Sequence, residues 1–227
     1  MTSDAARVTI RGPARQRPLM SYRLAIFDFD GTLADSFPFF MQAQQVLAEK
    51  HGFAKVQPDE VESLRRSSVS EVLRRSRLPA WKLPRVAHDF RAMMREAQGV
   101  RLFDGVDAML ADLAACGVVL GLLTSNAREN VERVMDAPSF ARFAHVDCGM
   151  SIFGKRPRIR SMLRDAGVRP ADAIYIGDQD SDGEAANAEG VAFGAVGWGY
   201  GAIDLLRRCA PKHEFACVGD ITALWPR

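Results

Sequence analysis

At 227 residues, with 48% apolar and 26% charged side chains, the chain is long enough for one large domain or for a core with a smaller insert, and extensive disorder is excluded. No apolar run approaches the roughly 18 residues that a bilayer span requires, so no membrane association is expected. The formal charge of +2 is uneven: Arg7, Arg11, Arg15 and Arg17 stand against Asp4 alone in the first 19 residues, leaving the rest near neutral, with no case for nucleic-acid binding. Cys116, Cys148, Cys209 and Cys217 form no C-x-x-C pair and read as small core residues in a reducing compartment, so the expected location is cytoplasmic.

Residues 1–19 lack apolar periodicity and the apolar centre of a signal peptide. They read as a flexible basic leader; a transit peptide and a true start at Met20 are the alternatives. Arg23 to Phe29 is a β-type run that ends in acids and Gly31. Residues 38–99 then show helical patterns near 39–50, 58–66, 69–77 and 84–98, punctuated by Gly52, Pro58, Pro79 and Pro84. This segment reads as an inserted helical domain, with 20–37 and 100–227 forming the core.

Strand–helix alternation resumes near Leu102. Helices are expected over 106–116, 127–135, 157–166, 182–189 and 202–208, with strands over 118–123, 144–148, 173–177, 191–196 and 214–218. Such repetition specifies an α/β fold, a doubly wound parallel sheet with helices on both faces. Ligands in this architecture bind beyond the carboxyl ends of the strands. The chemistry-bearing segments fall there.

The first is Phe27-Asp28-Phe29-Asp30-Gly31-Thr32. Residues i and i+2 of a strand share a face, so Asp28 and Asp30 are directed together, and two close carboxylates share a proton or bind a hard cation. A solvated strand end with a turn glycine fits the same letters. The second is Thr124-Ser125-Asn126, whose hydroxyl and amide donors suit a phosphate oxygen or, equally, a helix N-cap. The third is Gly154-Lys155-Arg156-Pro157, a cation between strand and helix that competes for its role with Arg156, Arg158 and Arg160. The fourth is Gly177-Asp178-Gln179-Asp180-Ser181-Asp182, a source of oxygen ligands for magnesium, or an acidic helix start favoured by the macrodipole.

Taken in this order, the four segments resemble those of the haloacid dehalogenase-like hydrolase superfamily, especially phosphoglycolate-phosphatase-like members with a helical cap after the first strand. The likeness runs from about Tyr22 to Trp225. It implies a Rossmann-like core and an enzyme that hydrolyses a small phosphomonoester with Mg2+. It makes Asp28 the nucleophile and a metal ligand, and Asp30 the general acid/base with its backbone carbonyl on the metal. Thr124 and Lys155 would bind the phosphoryl group with Ser125 and Asn126, Asp178 would ligate the metal, and Asp182 would support them. Many relatives place proline directly after the lysine, whereas Arg156 intervenes here.

Asp30 favours phosphate chemistry over dehalogenation, since a departing halide needs no proton. A phosphomutase and a catalytically idle binding or regulatory member are the alternative readings. The expected partner is a small-molecule phosphomonoester, phosphoglycolate-like or a sugar phosphate, and the oligomeric state is open. Arg66, in the loop 65–70, is a candidate for a substrate carboxylate, or else a solvated arginine at a helix end. Phe37, Phe39 and Phe40 are expected to pack the hinge, and the Gly197–Gly201 run to form a turn with packed aromatics. His51, His88, His145 and His213 carry no metal-ligand spacing.

Overall fold

The computed structural model describes residues 22–149 and 154–225. The basic leader therefore lies outside the described residues. Six parallel strands form the central sheet: β1 (Leu24–Phe27), β4 (Val119–Leu123), β5 (Phe143–Asp147), β6 (Ala173–Gly177), β7 (Ala192–Val196) and β8 (His213–Phe215). Their order is β5-β4-β1-β6-β7-β8. Leu24 pairs with Val119 on one side and Ala173 on the other, so β1 is central and reads as the unbroken apolar run Leu24-Ala25-Ile26-Phe27, buried throughout. Chain order reverses about β1, which places a crevice at the ends of β1, β4 and β6.

Alternate strand residues feed two cores. Ala25, Phe27, Leu120, Leu122, Ile174 and Ile176 pack with Met109, Leu110 and Leu113 of α5 (Val106–Ala115). Leu24, Ile26, Tyr175, Phe193 and Ala195 pack with Ile159, Met162 and Leu163 of α8 (Arg156–Ala166) and Ala186 of α9 (Asp180–Ala188). Helix α8 stops where Gly167 takes a left-handed conformation, as its sequence foretold.

Helices α1 (Phe37–His51), α2 (Val61–Arg65), α3 (Val69–Ser76) and α4 (Leu83–Glu96) fill the segment between β1 and α5. The chain enters and leaves this segment through two-residue strands, β2 (Ala34–Asp35) and β3 (Arg101–Leu102), paired antiparallel. Two residues are too few for any periodicity to reveal. Phe39 and Phe40 both pack on Phe90 of α4, and His51 meets Asp89 at 2.7 Å.

The remaining helices are α6 (Arg128–Val134), α7 (Ala137–Phe140) and α10 (Ile203–Leu206). The four-residue α7 and a 3-10 stretch at Val218–Leu224 had no sequence signal. The cysteines also depart from expectation: Cys209 is buried, whereas Cys116 and Cys217 are exposed and Cys148 is intermediate. Cys116 ends α5 and Cys217 precedes the 3-10 stretch, positions at the margin of the cores. Among the described residues no helix is long and apolar enough to cross a membrane.

Candidate active site

The loop after β1 is tightly wound. Leu33 and Ala34 N–H groups both donate to the Phe29 carbonyl at 2.9 Å, and Gly31 turns the chain at φ 78°. A Cβ on Gly31 would fall on the Asp178 carboxylate, so only glycine permits this approach. Asp28 extends the pairing of β1, its N–H donating to the Ile176 carbonyl at 3.0 Å. Its side chain is thereby carried to the end of β6, beside Asp178.

Lys155, at the N-terminus of α8, answers which of the clustered cations meets Asp28. Its ammonium lies 2.8 Å from Asp28 Oδ2 and 2.6 Å from Asp182 Oδ1. Arg158 instead binds Asp147, the Thr124 carbonyl and the Gly149 carbonyl, fastening β4 to β5. Arg156 and Arg160 both pair with Glu189. The intervening Arg156 thus leaves Lys155 within reach of Asp28, with Pro157 inside the first turn of α8.

Asp28, Asp178 and Asp182 are all buried, and each offers an oxygen within 4.8 Å of the others. Burial raises the Asp28 carboxyl to about 7, against the opposing charge of Lys155. Burial, then the charges of Asp28 and Asp182, hold Asp178 well above the usual carboxylate range. Burial also works against the Lys155 charge, but Asp182 and Asp28 outweigh it and keep the ammonium well above its ordinary pKa. The ammonium pairs with two of the three carboxylates, Asp28 and Asp182, and the donor set of the cluster is all oxygen. That chemistry fits a hard divalent cation.

Asp182 is the member already occupied: Oδ1 takes Lys155, and Oδ2 accepts from the Gln179 N–H at 3.0 Å. Asp178 is oriented by Thr32 Oγ1 at 2.9 Å and the Tyr200 N–H at 2.8 Å. Tyr200 belongs to the Gly197–Gly201 loop, for which the sequence indicated only packing. Its hydroxyl bonds Ser36 at 2.8 Å, its ring packs on Phe37 and Phe40, and Arg65 of α2 donates to the Gly199 and Tyr200 carbonyls. The loop therefore joins Asp178 to the helical segment. The glycines were its signal, since a Cβ on Gly199 would collide with Asp178.

Thr124 ends β4 with its hydroxyl buried, Oγ1 accepting from the Asn126 N–H at 3.0 Å. Ser125 is exposed. Asn126 is turned inward, donating to Asp30 Oδ2 at 3.0 Å and accepting from the Ala127 N–H and Asn130. Burial raises the Asp30 carboxyl, opposed by the Ser36 hydroxyl and the Asn126 amide. Arg66 is not drawn into this cluster: its guanidinium is exposed, 3.0 Å from Glu62 and 4.0 Å from Asp204.

The family model for haloacid dehalogenase-like hydrolases matches residues 25–196. The chain belongs to that family. It is 32% identical over 198 residues to the phosphoglycolate phosphatase of Synechococcus elongatus, covering 86% of this chain and 93% of that one. It is 29% identical over 199 residues to the tyrosine-protein kinase PtkA of Mycobacterium tuberculosis, covering 83% and 67% respectively. In fold, this haloacid dehalogenase-like hydrolase superposes on the family protein SP0104 of Streptococcus pneumoniae with a TM-score of 0.75 at 18% identity, covering 90% of this chain and 99% of that one.

Proposed function

We propose that the chain is a magnesium-dependent phosphatase that hydrolyses a small phosphomonoester through an aspartyl-phosphate on Asp28. The observation that carries this is the Lys155 ammonium, 2.8 Å from Asp28 Oδ2, inside a buried cluster of three carboxylates. The 32% identical phosphoglycolate phosphatase supports the reaction class.

In this reading Asp28 attacks phosphorus in line while Asp30 gives its proton to the leaving oxygen. Asp30 then takes a proton from the water that cleaves the acyl phosphate. The Thr124 hydroxyl and the Lys155 ammonium bind the equatorial oxygens, where charge develops. Asp28 and Asp178, with the Asp30 backbone carbonyl, would hold Mg2+, whose charge would reduce repulsion between carboxylate and phosphate. Asp182 holds Lys155 in place. Asn126 acts through Asp30, and Ser125 stands at the exposed mouth, where it would meet substrate.

Residues 38–99 form the cap over a core of 20–37 and 100–227, with β2 and β3 as the paired entry and exit. Substrate choice resides in this cap. Arg66 is the proposed partner for a substrate carboxylate, which would take the place of Glu62. An assay of metal-dependent phosphate release from an aryl phosphate tests the reaction class; no release by metal-replete protein would overturn it. A panel of metabolite phosphates tests Arg66: Arg66→Ala should raise KM for a two-carbon acid phosphate and leave sugar phosphates unchanged.

A further inference from the structure

A line of side-chain amides runs from Asp30 to the cap. Asp30 Oδ2 accepts from Asn126 Nδ2 at 3.0 Å, Asn126 Oδ1 accepts from Asn130 Nδ2 at 2.8 Å, and Asn130 Oδ1 accepts from Arg133 Nη1 at 3.3 Å. The same guanidinium donates to the Arg95 and Met94 carbonyls at 2.5 and 2.6 Å, in and beside the last turn of α4. Asn126 and Asn130 are 9% and 3% exposed, so water does not compete freely for these bonds.

The polarity of this line is forced. A guanidinium has donors only, so Asn130 must turn its oxygen toward Arg133 and its NH2 toward Asn126. Asn126 must then present its oxygen to Asn130, and the Ala127 N–H donates to that oxygen as well, at 2.9 Å. Its NH2 is left for Asp30, which makes Asp30 Oδ2 an acceptor. The other oxygen, Oδ1, is buried and has no hydrogen-bond partner among the described residues; the Ser36 hydroxyl, which also lowers this carboxyl, is bonded to Tyr200. Oδ1 is the atom left to carry a proton toward a leaving group.

We propose that Arg133 is a positioning residue: through Asn130 and Asn126 it fixes which oxygen of Asp30 delivers the proton, and it ties that choice to the seating of cap helix α4. The proposal rests on the phosphatase reading. It gives the cap a part in the chemical step, separate from any contact with substrate. Neither Asn130 nor Arg133 carried a sequence signal, because each acts through another side chain.

Arg133 is exposed on α6, and methionine has comparable helix propensity, so Arg133→Met removes the donors without threatening the fold. The test compares kcat/KM, which covers only the steps up to expulsion of the leaving group, for a simple alkyl phosphate, whose leaving group needs a proton, with kcat/KM for para-nitrophenyl phosphate, whose leaving group does not. Arg133→Met should lose about tenfold on the alkyl phosphate and stay within about twofold on the aryl phosphate. Asn130→Asp, which cannot donate to Asn126 but leaves Arg133 free to hold α4, should show the same selective loss. Equal loss on both substrates, no loss on either, or a selective loss in Arg133→Met alone would overturn the relay. A wild-type protein inactive on both substrates would instead overturn the phosphatase reading, and the relay with it.

Discussion

The Lys155 ammonium bridges Asp28 and Asp182, 2.8 Å from the first and 2.6 Å from the second. It is the cation that opposes burial at Asp28, whose carboxyl is nonetheless raised to about 7. Lys155→Met should therefore lower turnover about a hundredfold or more, because charge stabilisation and nucleophile ionisation are lost together. Steady-state kinetics across pH checks this. The acid limb of the variant should move to higher pH, and an unshifted limb would show that Lys155 does not govern Asp28.

Asp28→Asn should abolish turnover and the covalent phosphoprotein, since an amide is a poor nucleophile. Rapid acid quench followed by intact-mass measurement would detect the phosphorylated chain in the wild type and not in the variant. Wild-type rates in the variant would remove Asp28 from the mechanism.

The metal-free cluster has a pH signature. Because the folded protein raises Asp28 from 3.8 to about 7, it binds more protons than the unfolded chain in that interval. Stability of the metal-free protein should fall from this group as pH rises between those values. Mg2+ should reverse the trend, since it binds the ionised form. Melting curves with EDTA and with Mg2+ should thus diverge above pH 7 and converge near pH 4.

Gly199→Ala would place a methyl group against the Asp178 side chain and 2.6 Å from the Gly31 carbonyl. Overpacking of this kind costs about 1–3 kcal/mol. The variant should also show a smaller Mg2+-induced rise in melting temperature, because Asp178 is displaced. A stable variant with full magnesium response would show that the loop yields easily.

Glu189 clamps α8 to the end of α9, pairing with Arg156 and Arg160. Hydrogen bonds from Arg160 and then Arg156 lower its carboxyl from 4.5 to about 2. Its contribution is therefore complete above pH 4.5 and lost as pH falls toward 2. Both arginines are more than half exposed, so screening limits the value to about 1 kcal/mol. Glu189→Gln should melt below wild type at pH 7, with the gap closing in acid.

The six-stranded parallel sheet and the strand ends carrying Asp28, Thr124 and Asp178 were legible from the sequence. Buried parallel strands are written as unbroken apolar runs, and loop chemistry follows directly after them. The helices of 38–99 were legible too, through their turn residues and helical periodicity. Short elements were not: β2, β3 and α7 hold two to four residues, too few to establish a period.

Asp28 shows where the sequence reached its limit. Its place at the end of β1, next to Asp30 and Gly31, followed from residue order alone, because strand alternation and glycine's conformational freedom are local properties. Its partners did not. Lys155, Arg156, Arg158 and Arg160 were four cations in one short stretch, and only packing of α8 against the sheet assigned Lys155 to Asp28, Arg158 to β5, and the other two to Glu189. The tie from Asp178 through Tyr200 to the helical segment, and the line from Asp30 to Arg133, likewise required the folded chain. Hydrogen bonds between residues far apart in sequence leave no periodic trace, so they become visible only once the strands and helices that carry them are brought together.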